Sequence, residues 1–492
     1  MKLGQLLKDV LDEPLYVSCR DWDITGLSCD SRTIEPNSVF VALSGARFKG
    51  VDFIREAIAK GARVVISNLP QIPVETKEQV CFICVKDPFK ALKGVVRNFF
   101  QNPSRKIKTI GVTGTNGKTT ITYLVESILQ RARKTCGVIG TINYRLKGKA
   151  IPSINTTPGL LDNQRILTMW VQEGVDYAVM EVSSHALDQG RVDLIDFKTA
   201  VFTNLTREHL DYHKTMEAYF LAKARLFTNL ASDSLAVVNL DDPYGQRLAP
   251  KIKSRLLTYA LQENADIYAR EIQMDPSGTR FKLYSPGGDI LIHTQLIGVH
   301  NVVNILAAAA VGIGEGLRLA EIKEGIENLT LVPGRLERVD FAQDYSILID
   351  YAHTPDALEK VLKNLREICQ ARLILVFGCG GDRDKTKRPL MGGLASQLAD
   401  FSVVTSDNPR GEDPQSIIAE ILPGFKKNNF IVKLERQEAM RYALQLARPG
   451  DIVLIAGKGH ETYQIFKDKT IPFNERETIG QILAAQRKCL SH

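Results

Sequence analysis

The sequence predicts an α/β protein of three consecutive domains, and three observations carry that expectation. Short apolar runs of strand length alternate with helical patterns along most of the chain, which indicates mainly parallel sheets with helices on their faces. Polar breaks at Asn102-Pro103-Ser104 and Val332-Pro333-Gly334 interrupt the alternation. The 492 residues amount to about three domains at roughly 150 residues each. The expected boundaries are 1–104, 105–331 and 332–492.

In the first block an amphipathic helix leads into strands such as Ser38–Leu43 and Val64–Ser67, with Gly/Pro turns between them. In the second, a strand over Lys108–Val112 runs into a glycine loop, and a long helical pattern begins at Lys118. Strands over Tyr177–Met180 and Ala200–Phe202 continue the alternation. Beyond the second break, Ser346–Asp350, Arg372–Phe377, Phe401–Thr405 and Ile452–Ala456 are apolar runs separated by helical segments, a second doubly wound, Rossmann-like domain.

Composition narrows the function classes. Hydrophobic residues at 44% and charged residues at 24% exclude a disordered or fibrous chain. The net charge of +7 does not imply nucleic acid and suits an anionic small molecule. The most apolar stretch, Ile305–Gly314, is shorter than the ~20 residues of a membrane span. The N-terminal segment is broken by Asp9, Asp12 and Glu13, which is unlike a signal peptide and predicts a cytoplasmic protein. The eight cysteines are scattered. Cys81 and Cys84 form one C-x-x-C inside a strand-like run without a second pair, so they are expected to pack rather than bind zinc.

The strongest local signal runs from Gly111 through Gly114-Thr115-Asn116-Gly117-Lys118-Thr119-Thr120. Glycines let backbone N–H groups curl around phosphate oxygens, Lys118 adds positive charge, and Thr119 can offer its hydroxyl to Mg²⁺. A strict Walker loop has Gly where Val112 stands; Gly111 and Gly114 flank that position. The middle block is therefore expected to be a P-loop ATPase domain. Glu181 ends a buried run, where a carboxylate can hold Mg²⁺ opposite the loop. His209 and His213 have the spacing of zinc proteases, but Leu210 replaces the general-base Glu, which excludes that chemistry.

Several motifs in order resemble the Mur ligases: GVTGTNGKTT, Thr156-Thr157-Pro158-Gly159, EVSSHAL, FTNLTREHLDYH, Lys223-Ala224-Arg225, HNVVN, Pro333-Gly334-Arg335 and Asp350-Tyr351-Ala352-His353-Thr354-Pro355. That family adds amino acids to the UDP-linked muramoyl precursor of peptidoglycan at the expense of ATP. The likeness covers nearly the whole chain and is strongest for members adding the third residue. It implies that Gly114 to Thr120 bind ATP, with Asn301, Asn304, Arg335 and Asp350 around the nucleotide. It implies Mg²⁺ on Thr119, Glu181, His209 and a carbamate of Lys223, with Lys118, Lys223, Glu181 and His209 as the catalytic group.

The same resemblance places Ser31 and the loop Ala46, Arg47 and Phe48 near the uridine diphosphate, with Asn37 a mild departure from the family's glycine. Asn155, Thr156, Thr157, Ser183, Gln189 and Arg191 would grip the muramoyl peptide. Arg383, Asp407, Asn408, Pro409, Arg410, Gly457 and Glu461 would receive the incoming amino acid. A dinucleotide fingerprint after the strand LILVF would need Gly where Arg383 stands, which excludes NAD. The Asp-Asn-Pro-Arg form marks members that use meso-diaminopimelate, and a guanidinium suits the carboxylate that lysine lacks. The implied partners are UDP-N-acetylmuramoyl-L-alanyl-D-glutamate and meso-diaminopimelate, handled by a monomer in cell-wall biosynthesis. The implied chemistry is an acyl phosphate attacked by an amine. Alternatives are the same reaction with L-lysine or another diamino acid, a folylpolyglutamate synthetase-like ligase, or an inactive scaffold. About 104 residues before the loop argue against the second. Intact Lys118, Glu181, His209 and Lys223 argue against the third.

Overall fold

The structure is a computed structural model that describes residues 1–11, 19–45, 48–70 and 80–490. By compactness the chain forms two units. The first comprises Met1–Ile110, Ile154–Ala178 and Val182–Lys198, and the second Gly111–Ser153, Val179–Glu181 and Thr199–His492.

In the first unit four parallel strands lie side by side in chain order: Gly26–Ser28, Ser38–Val41, Ala62–Ser67 and Cys81–Cys84. Helix Pro88–Phe100 begins where Asp87 accepts from the Phe89 and Lys90 amides, with Pro88 in the first turn. It buries Ala91, Leu92, Val95 and Val96, an i, i+1, i+4, i+5 stripe. The leading helix is only Leu3–Leu6, shorter than its amphipathic pattern predicts, and Asp9 turns into the left-handed region at φ 57°. Cys81 is buried with its Sγ 2.7 Å from Cys19 Sγ, while Cys84 is exposed.

The second unit carries an eleven-stranded sheet and a six-stranded sheet. Strands Thr199–Phe202, Leu235–Asn239, Arg255–Ala260 and the start of Ile267–Asp275 pair in parallel. The sheet is nevertheless mixed. Ile267–Asp275, Gly278–Ser285 and Gly288–Thr294 form an antiparallel meander at one edge, and Cys136–Ile139, Asn143–Leu146 and Lys149–Pro152 form another at the other. Helix Val299–Gly314 buries residues on every side, including Val302, Ile305 and Leu306, so the most apolar stretch of the chain is core.

The six-stranded sheet has the order Glu337–Val339, Ser346–Asp350, Ile452–Ala456, Leu373–Phe377, Phe401–Val404, Phe430–Val432, parallel except at its first strand. Alternate residues feed two cores. Leu348, Leu375 and Leu454 pack with Leu358, Leu362 and Met391, whereas Ile347, Ile374 and Val453 pack with Met440, Leu444 and Ile479. Both faces are covered, which is why its central strands are continuous apolar runs. Among the described residues no helix is long and apolar enough to cross a membrane.

Candidate active site

The carboxyl ends of parallel strands collect the functional side chains, as in open α/β sheets generally. Strand Lys108–Thr113 ends in the phosphate loop, and helix Lys118–Arg131 starts directly after it. Gly117 caps that helix at φ 89°, and a Cβ there would stand 2.4 Å from Asn304 Oδ1, so only glycine fits. Neutral hydrogen bonds set the loop: the Thr115 amide donates to Asn204 O at 2.8 Å, the Asn116 amide to Asn204 Oδ1 at 2.9 Å, and Thr203 Oγ1 to Asn116 O at 2.6 Å. Asn304 Nδ2 donates to Asn301 Oδ1 at 3.1 Å, which aims its own oxygen at Gly117. Thr120 is buried in the first turn of the helix.

Lys118 Nζ donates to the carbonyls of Gly114 at 2.9 Å and Thr115 at 2.8 Å. Burial lowers its pKa, opposed by Glu181 and Glu208. Lys223, on helix Met216–Thr228, is only 1% exposed rather than a surface lysine, and its Nζ donates to the same Gly114 carbonyl at 2.8 Å. Burial first, and Lys118 second, push its pKa well below the ordinary lysine value. A lysine held toward its neutral amine is the form that can capture CO₂.

Glu181 is the last residue of strand Tyr177–Glu181 and 1% exposed. Its Oε1 accepts from Thr119 Oγ1 at 3.0 Å and from the Thr141 amide at 2.8 Å, while Oε2 accepts from Thr141 Oγ1 at 2.9 Å. A hydroxyl and a carboxylate this close are hard oxygen donors that fit Mg²⁺, which takes one or two carboxylates and completes its shell with water and phosphate. No cluster of three or more His, Cys, Asp or Glu ligands occurs among the described residues. His209 has a left-handed backbone at φ 56°, and its ring lies 6.0 Å from Tyr219. Tyr219 in turn places its hydroxyl 3.2 Å from Thr115 Oγ1 and its ring under Lys223 Nζ at 4.7 Å.

Arg335 reaches Thr119 Oγ1 with Nη2 at 3.5 Å, lies 5.0 Å from the Tyr351 ring, and keeps a buried Nε without a partner. Asp350 accepts from the amides of Leu336 and Ala352, both at 2.8 Å, so it shapes the turn that carries Arg335. Burial raises its carboxyl pKa against the pull of Arg335.

A second cluster sits where strands Leu373–Phe377, Phe401–Val404 and Ile452–Ala456 end. Asn408 Nδ2 donates to Glu461 Oε2 at 2.8 Å, and Arg410 Nη1 donates to Gly381 O at 3.0 Å. Pro409 is buried between them. Asp407 Oδ1 accepts from the Asn408 amide, while its buried Oδ2 has no partner. Gly457, at φ 116°, leaves room for that oxygen, since a Cβ there would stand 2.5 Å away. Arg383 is exposed, donates to the Asp382 carbonyl at 3.2 Å, and with Arg410 flanks Gly380. An open cavity of about 600 Å³ adjoins Arg410, lined also by Glu412, Asp413 and Lys467.

In the first unit Arg191 Nη1 donates to Thr157 O at 3.1 Å and its Nε and Nη2 to Gln189 Oε1. Thr157 Oγ1 accepts from the Ser183 amide at 3.1 Å, so these four residues meet. Asn155 is exposed and Thr156 half-buried in the preceding segment. Ser31 donates to Glu56 Oε2 at 2.8 Å. Phe48 is exposed with its ring edge toward Phe53, and Ala46 and Arg47 lie outside the described residues. Sequence reasoning missed Thr141, Tyr219 and Lys458. Tyr219 stands four residues before Lys223 on one helix face, a spacing that could have found it; Thr141 gave no such signal.

Three family models match: "Mur ligase family, catalytic domain" over residues 23–100, "Mur ligase middle domain" over 112–312, and "Mur ligase, glutamate ligase domain" over 334–459. The chain is 42% identical over 490 residues to the UDP-N-acetylmuramoyl-L-alanyl-D-glutamate--2,6-diaminopimelate ligase of Caldanaerobacter subterraneus subsp. tengcongensis, covering 99% of this chain and 100% of that protein. It is 45% identical over 482 residues to the ligase of the same name from Geobacter metallireducens, covering 93% and 94%. A solved structure of a ligase of that name superposes with a TM-score of 0.72 at 33% identity over 99% of both chains. With its loop, carboxylate and buried lysine so arranged, the chain belongs to the Mur ligase family.

Proposed function

We propose that this protein is an ATP-dependent amide ligase that joins meso-diaminopimelate to the D-glutamyl γ-carboxylate of UDP-N-acetylmuramoyl-L-alanyl-D-glutamate in peptidoglycan synthesis. The observation that carries this reading is the pairing, in one compact unit, of the Lys118 loop with the Asp407–Arg410 corner bonded to Glu461. The relatives' shared name supports it.

Residues 1–104 hold the uridine diphosphate, 105–331 bind ATP, and 332–492 bring the amino acid. Ser31 and the Ala46–Phe48 loop meet the nucleotide sugar; Asn155, Thr156, Thr157, Ser183, Gln189 and Arg191 grip the peptide. Lys118 and the loop amides steady the γ-phosphate while the substrate carboxylate attacks it, forming an acyl phosphate and ADP. Asn301, Asn304, Arg335 and Asp350 position the nucleotide. Thr119, Glu181, His209 and a carbamate on Lys223 would hold Mg²⁺, which supplies charge neutralisation. Arg410 and Arg383 take the distal carboxylate of diaminopimelate, and Glu461 with Asp407 and Asn408 takes an ammonium. The free amine then attacks the acyl phosphate and phosphate leaves. Catalysis is positioning and charge stabilisation without a protein nucleophile. The protein works as a cytoplasmic monomer.

Phosphate release from ATP, measured with the UDP-linked dipeptide and one candidate amino acid at a time, tests the reading. Turnover with meso-diaminopimelate and little with L-lysine is expected. Equal turnover with both, or none with either, overturns it.

A further inference from the structure

Lys458 lies between the groups assigned to the amino acid and belongs to none of those assignments. It is fully buried, at 0% exposure, in the turn after strand Ile452–Ala456. Its Nζ donates to Asn408 Oδ1 at 3.0 Å and lies 3.1 Å from Glu461 Oε2. The geometry has a directional consequence. An asparagine can present either its oxygen or its NH₂ to a given neighbour. Here Lys458 and the Ile465 amide, at 3.0 Å, both claim the oxygen. Nδ2 is thereby turned onto Glu461 Oε2 at 2.8 Å. Glu461 Oε2 thus receives two donors, one of them charged, which fixes the carboxylate and leaves Oε1 for another cation.

Lys458 also sets the charge of the corner. Asp407 and Glu461 bring two carboxylates, and Asp407 Oδ2 is buried without a partner. The Lys458 ammonium is bonded to Glu461, which leaves the unpartnered Asp407 oxygen to meet an incoming ammonium. Without Lys458, the Asn408 oxygen would be held by the Ile465 amide alone and Glu461 would lose the cation bonded to it.

We infer that Lys458 is a positioning residue for the amino-acid pocket, acting through Asn408 and Glu461 to fix the carboxylate that receives an ammonium of the substrate. This rests on the proposed role of Glu461 in that pocket. The lysine touches neither ATP nor the reacting atoms in this role, so its effect falls on recognition of one substrate.

The test is a double-mutant cycle on the full-length enzyme with meso-diaminopimelate, read as KM and kcat for each of the three substrates. Lys458→Met, which keeps the stem and removes the charge, should raise the amino-acid KM about tenfold. Its kcat and its KM for ATP and for the UDP-linked dipeptide should stay within about twofold. In a Glu461→Gln background the same change should raise the amino-acid KM less than about threefold. Lys458→Gln, which keeps a donor without charge, should fall between wild type and Lys458→Met. An equal effect of Lys458→Met in both backgrounds, or no effect in the wild type, overturns the inference while leaving the pocket intact. Loss of folding or of all three KM values in both Lys458 variants makes the lysine structural and also overturns it. If Glu461→Gln alone leaves the amino-acid KM unchanged, the pocket assignment fails first and takes the inference with it.

Discussion

The phosphate loop and the Asp407–Arg410 corner are both anchored at strand ends, yet they are held by different physics. The loop is held without ion pairs: Thr203, Asn204 and Asn304 bond or abut its backbone, glycine dihedrals give it shape, and Lys118 and Lys223 donate to its carbonyls rather than to carboxylates. The corner is tied by ions. Lys458 and Glu461 bracket Asn408, and fully buried Arg388 pairs with Glu412 at 2.9 Å and Glu420 at 2.8 Å just beyond Arg410. A phosphate binder built from backbone can stay one shape for every turnover. A pocket that sorts amino acids by charge needs fixed charges, and these need counter-charges to be buried at all.

The largest effect expected from this contrast is at the loop. Lys118→Ala should lower ligation by roughly a hundredfold or more, on the scale of removing one preorganised charged donor. The melting temperature should change little, because Thr203, Asn204 and the glycine dihedrals still hold the loop's shape when the two Lys118 bonds to the Gly114 and Thr115 carbonyls are gone. Single-turnover phosphate release measures it, and activity within twofold of wild type would sink the phosphate role.

Lys223 comes next. Lys223→Ala should be nearly as inactive, with partial recovery in added formate or acetate, which can replace a carbamate's carboxylate. Lys223→Arg should not recover, since arginine stays protonated and cannot take up CO₂. An active arginine variant would mean that positive charge alone is needed beside Gly114, to whose carbonyl Lys223 donates.

The corner yields a smaller, substrate-selective effect. Removing one partner of a desolvated charge pair costs on the order of 2–5 kcal/mol. Arg410→Ala should therefore cut kcat/KM for meso-diaminopimelate by about 30-fold or more and leave the KM for ATP unchanged. The variant should not gain L-lysine activity, because removing an unpaired charge creates no grip. Unchanged diaminopimelate kinetics would move the selector elsewhere, with Arg383 across Gly380 the next residue to change.

The same contrast explains what the sequence made legible. The loop is contiguous and local, so the strand, the glycines and the helix start at Lys118 all stand where the pattern put them. Strands Ser346–Asp350 and Ile452–Ala456 match their apolar runs because both faces are covered. The antiparallel meanders at the sheet edges were not anticipated, since exposed edge strands such as Lys149–Pro152 carry little apolar signal. The corner draws on three segments some thirty to eighty residues apart in the chain, around Gly380, Asp407 and Gly457. Its members could be named through the family resemblance, but not which way Asn408 turns or that Lys458 is buried. Lys223 shows the same limit: helical periodicity alone does not tell that its position faces the loop.

The smallest effect concerns acid. Glu412 accepts from Arg388 and from the Asp382 amide, at 2.9 Å and 2.6 Å, and so ties the segment after Arg410 to the Gly380–Asp382 turn. The Arg388 bond is the main cause that lowers its pKa from 4.5 to about 2, with the Asp382 amide second and Lys385 adding to it. A carboxyl with a depressed folded pKa contributes stability that is complete above its unfolded value. That contribution fades as pH falls from about 4.5 to about 2. Glu412→Gln should accordingly melt below wild type at pH 7, by roughly 2–4 °C per kcal/mol lost. The gap should close as the pH is lowered through that window, because wild-type Glu412 then becomes neutral too. Other carboxylates titrate in both proteins and cancel in the difference. The phosphate loop, held by amides and hydroxyls, gives Asn204→Ala no such convergence. A gap for Glu412→Gln that stays constant from pH 7 to pH 3 would show that the corner is not held by this ion pair, and the contrast between the two regions would fall with it.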